Sequence, residues 1–398
     1  MRGIFLTCLL SVTILESISA QENIFSEASK AAAFCSKSRN IELAESYLAI
    51  RNTLYPNPAR EKKPITCDDV YQNLKVRTGL AMIKPSSPND PRLRRLDLIL
   101  EFTQFAVLTL IDQGLTDISG IQNFKNLRIL ALEENQIQDA SMIAGLPQLT
   151  SLRLDDNPLQ NFNFLRRLVN LEQVQLNRVG MANIGVLGLI PSIKILNIRG
   201  NQIENIRPLS ALVNLAHLHM DKNKIYELSA LSNLQNLKTL TLAENRVEDL
   251  FPLTTLQKLE FVNANQNRVR DLSFLRSMPD LKTLSIQMNG ISSLESLRNY
   301  QGIESLDLDG NNIRDLSPLV GVDSLTGLVL SSNPIESLKP LLKMKNLQEL
   351  ALSFSYVEYA ETIKAMNWLS KIYFKEESRR AKFLDIQTSM NTTEVRIY

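Results

Sequence analysis

The residues best suited to chemistry in this 398-residue chain are its two histidines and a nearby aspartate, namely His217, His219 and Asp221. Alternate residues of a β-strand project from the same face, so the three side chains are predicted to lie together. Two imidazoles and a carboxylate can hold Zn²⁺ or a similar ion, although the neighbouring cation Arg199 disfavours a metal. We expect these residues to recognise a polar partner instead, with neither a metal nor another cofactor.

Other patterns of catalytic residues are missing from the sequence. No serine stands in a recognisable motif with a histidine and an acid, and no glycine-rich phosphate-binding loop occurs among the 14 glycines. Asp155 and Asp156 are adjacent along the chain, so a strand would place them on different faces. The sequence therefore predicts a protein that is not an enzyme.

A 22-residue period positions these side chains, and it runs without insertion or deletion from Phe105 to Leu369. Each unit begins with the pattern LxxLxLxxNxI, as in the segment from Leu237 to Val247. This pattern and period are typical of leucine-rich repeats, in which parallel strands form one face of a solenoid. We predict an α/β fold over 105–374 with a concave parallel sheet and short 3₁₀ turns on the convex side.

Two repeat positions have predicted structural roles. Position nine is asparagine in nine repeats, and a buried carboxamide supplies both a donor and an acceptor to neighbouring turns. These residues are Asn135, Asn157, Asn201, Asn223, Asn245, Asn267, Asn289, Asn311 and Asn333. Four prolines share a later position, where a 3₁₀ turn tolerates the missing N–H. They are Pro208, Pro252, Pro318 and Pro340.

The predicted binding surface is the concave face, formed by side chains at positions three, five, seven and eight of the repeats. Phe261 is its predicted anchor, because an exposed aromatic ring among polar side chains is typical of an interface. A group of acids, from Glu133 to Asp156, lies near the first repeats. The candidate partner-binding residues are Arg153, Asp155, Gln175, Asn197, Arg199, His217, His219, Asp221, Thr239, Thr241, Phe261, Asn263, Asn265, Ser285, Gln287 and Asp307.

The first 104 residues lack the repeat. Residues 1–20 resemble an export signal, with Arg2 before an apolar stretch too short to span a membrane. Residues 21–104 are predicted to form a helical N-terminal cap. Cys35 and Cys67 are the two cysteines that remain after cleavage, and an even count in an exported chain favours a disulfide over two free thiols. Residues 375–398 are predicted to cap the other end.

The overall charge excludes some partners. The chain carries 44 basic and 42 acidic residues, and this near-balance gives no sign of a concentrated basic face. Binding to nucleic acid or to a strongly anionic membrane would require a basic surface. We therefore expect a protein partner, no nucleic acid and no membrane span.

The repeats resemble the 22-residue class found in bacterial internalin-like proteins and in phosphatase-1 regulatory subunits. The segments starting at Asp271 (DLSFL) and Asp315 (DLSPL) match the internalin-like version. The resemblance implies that the concave face binds another protein. No immunoglobulin-like domain or LPxTG signal follows the repeats, and the export signal departs from the phosphatase regulators. We expect a periplasmic or secreted binding protein, and an envelope protein that recognises glycan or peptidoglycan is the alternative.

Overall fold

The structure is a computed structural model that describes residues 106–112, 114–118, 121–353, 359–375, 390 and 393–397. The predicted signal at 1–20, the cap at 21–104 and the Cys35–Cys67 disulfide lie outside these residues. Residues 376–389 of the predicted C-terminal cap lie outside them too. The chain divides into two compact units between Met181 and Ala182, and each is described by itself below.

The first unit contains four short parallel strands that pair in chain order. They are β1 (Val107–Thr109), β2 (Ile129–Ala131), β3 (Ser151–Arg153) and β4 (Gln173–Gln175). A 3₁₀ helix lies between each strand and the next. These helices are Ile121–Asn123, Ser141–Gly145 and Asn163–Arg167.

The second unit contains ten parallel strands, which also pair in chain order. They are β5 (Ile195–Asn197), β6 (His217–His219), β7 (Thr239–Thr241), β8 (Phe261–Asn263), β9 (Thr283–Ser285), β10 (Ser305–Asp307), β11 (Gly327–Val329), β12 (Glu349–Ser353), β13 (Lys371–Lys375) and β14 (Glu394–Ile397). Its connections are 3₁₀ helices and one α-helix. They are Leu187–Leu189, Arg207–Ala211, Ser229–Leu231, Phe251–Thr255, Ser273–Ser277, Glu295–Leu297, Ser317–Leu319, Lys339–Lys343 and the α-helix α1 (Ala360–Lys364).

The strand register reproduces the period of the sequence. His217 pairs with Thr239, and Thr239 pairs with Phe261, so each residue lies beside its equivalent in the next repeat. Leu218 and Leu240 directly follow His217 and Thr239 in the chain and are completely buried. A slip of one residue would expose the leucines, so the buried face fixes the register. The predicted solenoid of parallel strands and 3₁₀ turns is confirmed.

The strand β14 is the exception to this register. Lys371 of β13 pairs with Glu394, whereas the period of the repeats would pair it with Thr393. This segment belongs to the predicted C-terminal cap, where no strand was expected. Its residues lie beyond the last LxxLxL pattern, so the period gave no signal for it.

The asparagines at position nine form the predicted ladder. The Asn245 amide Nδ2 donates to the carbonyl oxygens of Met220 at 3.0 Å, Leu242 at 2.9 Å and Ala243 at 3.3 Å. Its Oδ1 accepts the Ile225 N–H at 3.0 Å. One side chain therefore satisfies backbone groups of its own repeat and of the preceding one.

A second group of asparagines was not predicted. Each is the last residue of a repeat, and its Nδ2 donates to a carbonyl oxygen of the preceding repeat at 2.9–3.0 Å. Asparagines with this bond are Asn170, Asn214, Asn236 and Asn346. Most repeats have another residue type at this position, so no regular column indicated the bond in the sequence.

The 3₁₀ helices start from side-chain turns. The carboxylate Oδ1 of Asp271 accepts the Ser273 N–H at 2.9 Å, and Asp315 does the same for Ser317 at 2.8 Å. Such turns supply an acceptor where the backbone ladder offers none. The four repeat prolines lie in the first turn of their 3₁₀ helices, as predicted.

Candidate functional site

The open face of the second unit is the side of the sheet that carries repeat positions three, five and seven. His217, His219 and Phe261 lie half-buried on this face, as the strand alternation predicts. Leu218 and Val262 point to the opposite side and are completely buried. The predicted alternation of core and open side chains is therefore present at the two histidines and at the aromatic candidate.

The other candidate residues differ in their exposure. Arg199 is exposed, and most of the others are half-buried. The half-buried ones are Arg153, Asp155 and Gln175 in the first unit, and Asn197, Asp221, Thr239, Asn263, Asn265 and Gln287 in the second.

Three candidates at position five are buried, which corrects the expectation that they offer contact area. Thr241, Ser285 and Asp307 expose 4%, 2% and 0% of their surface. Position five is the last residue of each of these three-residue strands, and its side chain lies beside those of the adjacent strands about 4.8 Å away. Sequence alternation gives the direction of a side chain, but its exposure also depends on these neighbours.

A chain of hydrogen bonds connects His219 to Asp221. The Thr241 hydroxyl Oγ1 donates to Asp221 Oδ2 at 2.6 Å, and it lies 3.2 Å from His219 Nδ1. Asp221 Oδ1 accepts the Ala243 N–H at 2.8 Å. Both carboxylate oxygens of Asp221 are thus bonded within the sheet.

His217 has a simpler environment. Its Nδ1 lies 3.1 Å from the hydroxyl Oγ1 of Thr239. Burial lowers the pKa of His217, and Lys238 lowers it further, while Glu260 has the opposite effect. Among the described side chains, no carboxylate accepts a hydrogen bond from Thr239. The hydrogen bonds of His217 therefore lack the carboxylate that Asp221 provides beyond Thr241 for His219.

Both imidazoles are held in their neutral form near pH 7. Burial lowers the pKa of His219, and the adjacent His217 adds to this effect, whereas Asp221 opposes it. Since an imidazole normally titrates close to pH 6.5, a lowered pKa leaves the ring uncharged at neutral pH. The two rings therefore offer hydrogen-bonding nitrogens without a positive charge.

Several polar side chains at position seven support the sheet. In each case an oxygen of the side chain accepts the backbone N–H of position seven in the next repeat at 2.7–2.8 Å. The pairs are Asp155 with Asn177, Asp221 with Ala243, and Asn265 with Gln287. These three candidate binding residues consequently have a structural role, which their positions in the sequence did not indicate.

The acidic group of the first unit is partly neutralised. Arg153 pairs with Glu133 at 2.5 Å, and Arg178 forms a two-pronged pair with Asp156. Glu133 exposes only 4% of its surface, and burial raises its pKa and that of Asp155. The predicted acidic surface is therefore smaller than the sequence suggests.

A buried pair of acids lies on β10 and just beyond it. Asp307 and Asp309 expose 0% and 3% of their surface, and Lys375 from β13 bonds Asp309 Oδ2 at 2.7 Å. Burial raises the pKa of Asp307 to about 6, although hydrogen bonds from the Gln287 amide and the Asp309 N–H oppose this. No sequence pattern indicated this contact, because it joins repeats that are not adjacent in the chain.

A three-ligand metal site at His217, His219 and Asp221 does not form in the structure. Within the described ranges, no group of three histidine, cysteine, aspartate or glutamate side chains is arranged to hold a metal ion. Asp221 cannot turn toward the histidines without losing its bonds to Thr241 and Ala243.

Phe261 has polar neighbours in register on both sides. Thr239 of β7 and Thr283 of β9 pair directly with it. A second phenylalanine, Phe251, exposes 59% of its surface on a 3₁₀ helix away from the open face. Phe251 was not singled out from the sequence, and it shows that exposure alone does not distinguish an anchor.

Comparisons with known proteins agree with this architecture. A family model described as leucine-rich repeats (2 copies) matches residues 235–277. An internalin of Listeria monocytogenes is similar with a TM-score of 0.66 and 26% identity, covering 75% of this chain and 88% of its own. The chain is a leucine-rich repeat protein. Its repeats are internalin-like.

Other structures share the leucine-rich repeat fold at lower identity. A leucine-rich repeat protein of Leptospira interrogans has a TM-score of 0.64 and 22% identity, covering 79% of this chain and 93% of that one. The ectodomain of the Arabidopsis thaliana receptor kinase GASSHO1/SCHENGEN3, in complex with CASPARIAN STRIP INTEGRITY FACTOR 2, has a TM-score of 0.52 and 18% identity. It covers 74% of this chain and 42% of the receptor chain. No curated protein matches this leucine-rich repeat protein significantly in sequence.

In the part of this leucine-rich repeat protein that the structure describes, no helix has the length and apolar character needed to cross a bilayer.

Proposed function

We propose that this chain is an exported leucine-rich repeat protein that binds a protein partner on the open face of β5–β9 and catalyses no reaction. The observation that carries the proposal is Phe261, a half-buried aromatic ring among polar side chains on that face. Aromatic side chains with polar surroundings are frequent centres of protein interfaces. The neutral histidines and the threonines around Phe261 supply hydrogen bonds at the same surface.

The similar structures support a binding role. The plant receptor ectodomain was solved with a bound factor, and the similarity to it extends to the fold. The internalin and the Leptospira protein have the same kind of repeat array. Leucine-rich repeat arrays present an extended sheet surface, and such surfaces generally serve binding.

A protein partner fits the open face better than a glycan does. Sugar rings are usually held by several aromatic side chains, whose faces stack on them. Between β5 and β9, Phe261 is the sole phenylalanine, tyrosine or tryptophan at positions three, five and seven, and Tyr373 lies further away on β13. Side chains that hydrogen-bond predominate on this face, with little net charge. These features favour a partner whose protein surface is polar and offers one apolar contact to Phe261.

The test compares two phenylalanines. The full chain, immobilised, is used to capture proteins from periplasm and from culture medium, and captured proteins are identified by mass spectrometry. We expect Phe261→Ala to weaken binding of the captured protein at least tenfold, which corresponds to about 1.4 kcal/mol.

Phe251→Ala is the matched control, because it removes an exposed ring of the same size from a 3₁₀ helix. We expect it to bind as the unaltered chain does. Equal binding by all three chains, or a loss with Phe251→Ala alone, would contradict a binding site centred on Phe261.

A further inference from the structure

The hydrogen-bond donors and acceptors around His219 can be assigned from the geometry. A carboxylate only accepts, so the 2.6 Å contact between Thr241 and Asp221 uses the single proton of the Thr241 hydroxyl. The Thr241 oxygen must then accept at its 3.2 Å contact with His219 Nδ1. His219 consequently carries its proton on Nδ1, and in the neutral ring Nε2 has a free lone pair.

The Nε2 atom of His219 has no hydrogen-bond partner among the described residues. This nitrogen is not one of the buried side-chain atoms without a partner. It is therefore accessible from the open face. Burial lowers the pKa of the ring, which keeps the lone pair unprotonated at neutral pH. The sheet thus presents an unoccupied acceptor.

A second unsatisfied acceptor lies beside it. Asn197 pairs in register with His219, and its Oδ1 is buried without a hydrogen-bond partner among the described residues. A buried acceptor that lacks a donor raises the free energy of the unbound protein. Two neighbouring acceptors without donors favour a partner group that brings N–H or O–H.

We propose that His219 Nε2 is a specificity-determining acceptor, fixed by the chain through Thr241 to Asp221, and that the partner protein places an N–H or O–H donor on it. The proposal rests on the proposed function, since it names the chemistry of the partner at the same face. A carboxylate or carbonyl oxygen of a partner is disfavoured at this position, because it would meet a lone pair.

The spacing of the rings argues against a metal ion as the occupant. Each histidine contacts the threonine that is paired with it in register, so the two rings are held side by side. The Cα atoms of residues two apart on a strand are about 6.6 Å apart. A zinc ion with bonds of about 2.0–2.1 Å needs both nitrogens within about 3.4 Å of each other.

Nitrogen NMR of the ¹⁵N-histidine-labelled full chain reads the proton position directly. We expect His219 to be protonated on Nδ1 and bare on Nε2 at pH 7. Thr241→Val should lose this preference, whereas Thr241→Ser, which keeps the hydroxyl, should retain it. A proton on Nε2 in the unaltered chain, or stoichiometric Zn²⁺ binding that shifts both Nε2 signals, would overturn the proposal.

The protein captured by the immobilised chain, once purified, serves as the binding probe. We expect Thr241→Val to bind it about tenfold more weakly, while Thr241→Ser and the matched control Thr255→Val, on the 3₁₀ helix Phe251–Thr255, stay within about twofold. Tight binding of the unaltered chain together with unchanged binding by Thr241→Val would overturn the acceptor role and leave the proposed function intact. Loss of binding in Phe261→Ala tests that function separately.

Discussion

At the residue scale, the asparagine at repeat position nine connects consecutive repeats through a single carboxamide. Asn311 donates to the carbonyl oxygens of Ile286 and Leu308 at 3.0 Å and accepts the Ile291 N–H at 3.1 Å. Each of these backbone groups lies where the chain leaves the strand. Without the side chain, they would be buried and unsatisfied.

Neighbouring asparagines allow a direct test of the ladder. Asn311 is buried and Asn312 is exposed, although they are adjacent in the chain. We expect Asn311→Ala to reduce the free energy of unfolding by about 1–3 kcal/mol, because it strands buried polar groups. Asn312→Ala should change it by less than about 0.5 kcal/mol. Urea unfolding of both variants measures the difference, and equal losses would contradict the ladder.

The buried Asp307 predicts a dependence of stability on pH. Its pKa is raised to about 6 in the folded chain, whereas an unfolded aspartate titrates near 3.9. Between these values the folded state holds a proton that the unfolded state releases. Stability attributable to Asp307 is therefore greatest below about pH 4 and decreases as pH rises through about 6.

Asp307→Asn removes this titration. We expect the free energy of unfolding of the variant, relative to that of the unaltered chain, to increase by about 1–3 kcal/mol between pH 4.5 and pH 7.5. Thermal or urea unfolding at the two pH values gives the difference. A constant difference across this range would show that Asp307 titrates normally.

Some of the residue roles could be predicted from the sequence and others could not. The buried role of Asn245 follows from its position nine and from the chemistry of a carboxamide. The structural bonds of Asp155 and Asp221 did not follow, because any polar residue on an open strand position looks like a binding residue in sequence. The tautomer of His219 depends on the order of donors across two strands, which needs coordinates.

At the element scale, each short strand is followed by a turn through the left-handed backbone region. Position eight has φ between +50° and +70° in eleven repeats of the described chain, and in two of them the residue is glycine. The residues are Asp112, Glu134, Asp156, Arg178, Gly200, Lys222, Glu244, Gln266, Met288, Gly310 and Ser332. The left-handed conformation is unfavourable for residues with a Cβ, so these turns carry strain.

At position eight, adding a Cβ should therefore destabilise the protein, and removing one should stabilise it. Gly310→Ala adds a Cβ at φ +68°, and that atom would lie 3.0 Å from the Met288 Cγ, so we expect a loss of about 1–2 kcal/mol. Gln266→Gly, at φ +54°, should raise the free energy of unfolding by about 0.5–1 kcal/mol. Urea unfolding measures both, and effects of the same sign would contradict a shared left-handed turn.

The regular elements could be predicted because the period of the sequence and the strand register are the same quantity. Leucine at positions four and six, as at Leu240 and Leu242, fixed the strands, and Pro252 and Pro318 indicated the 3₁₀ helices. The left-handed turn was missed because position eight holds many different residue types besides glycine. The strand β14 was missed because its pairing is offset from the period of the repeats.

At the scale of the whole molecule, the array offers many side-chain combinations on one repeated backbone. Each repeat contributes its own residues at positions three, five and seven, while the leucine core and the asparagine ladder stay constant. Binding specificity can therefore vary independently of the fold. This separation also explains why the sequence predicts the fold in detail but indicates only the class of partner.

The most direct test of the open face uses two threonines. Thr283 pairs in register with Phe261 on the open face, and Thr255 lies exposed on the 3₁₀ helix Phe251–Thr255. An arginine at either position adds a long charged side chain that blocks a close contact. The dissociation constant for the captured protein should rise at least tenfold in Thr283→Arg and stay within about twofold in Thr255→Arg. Unchanged affinity in Thr283→Arg would contradict recognition on this face.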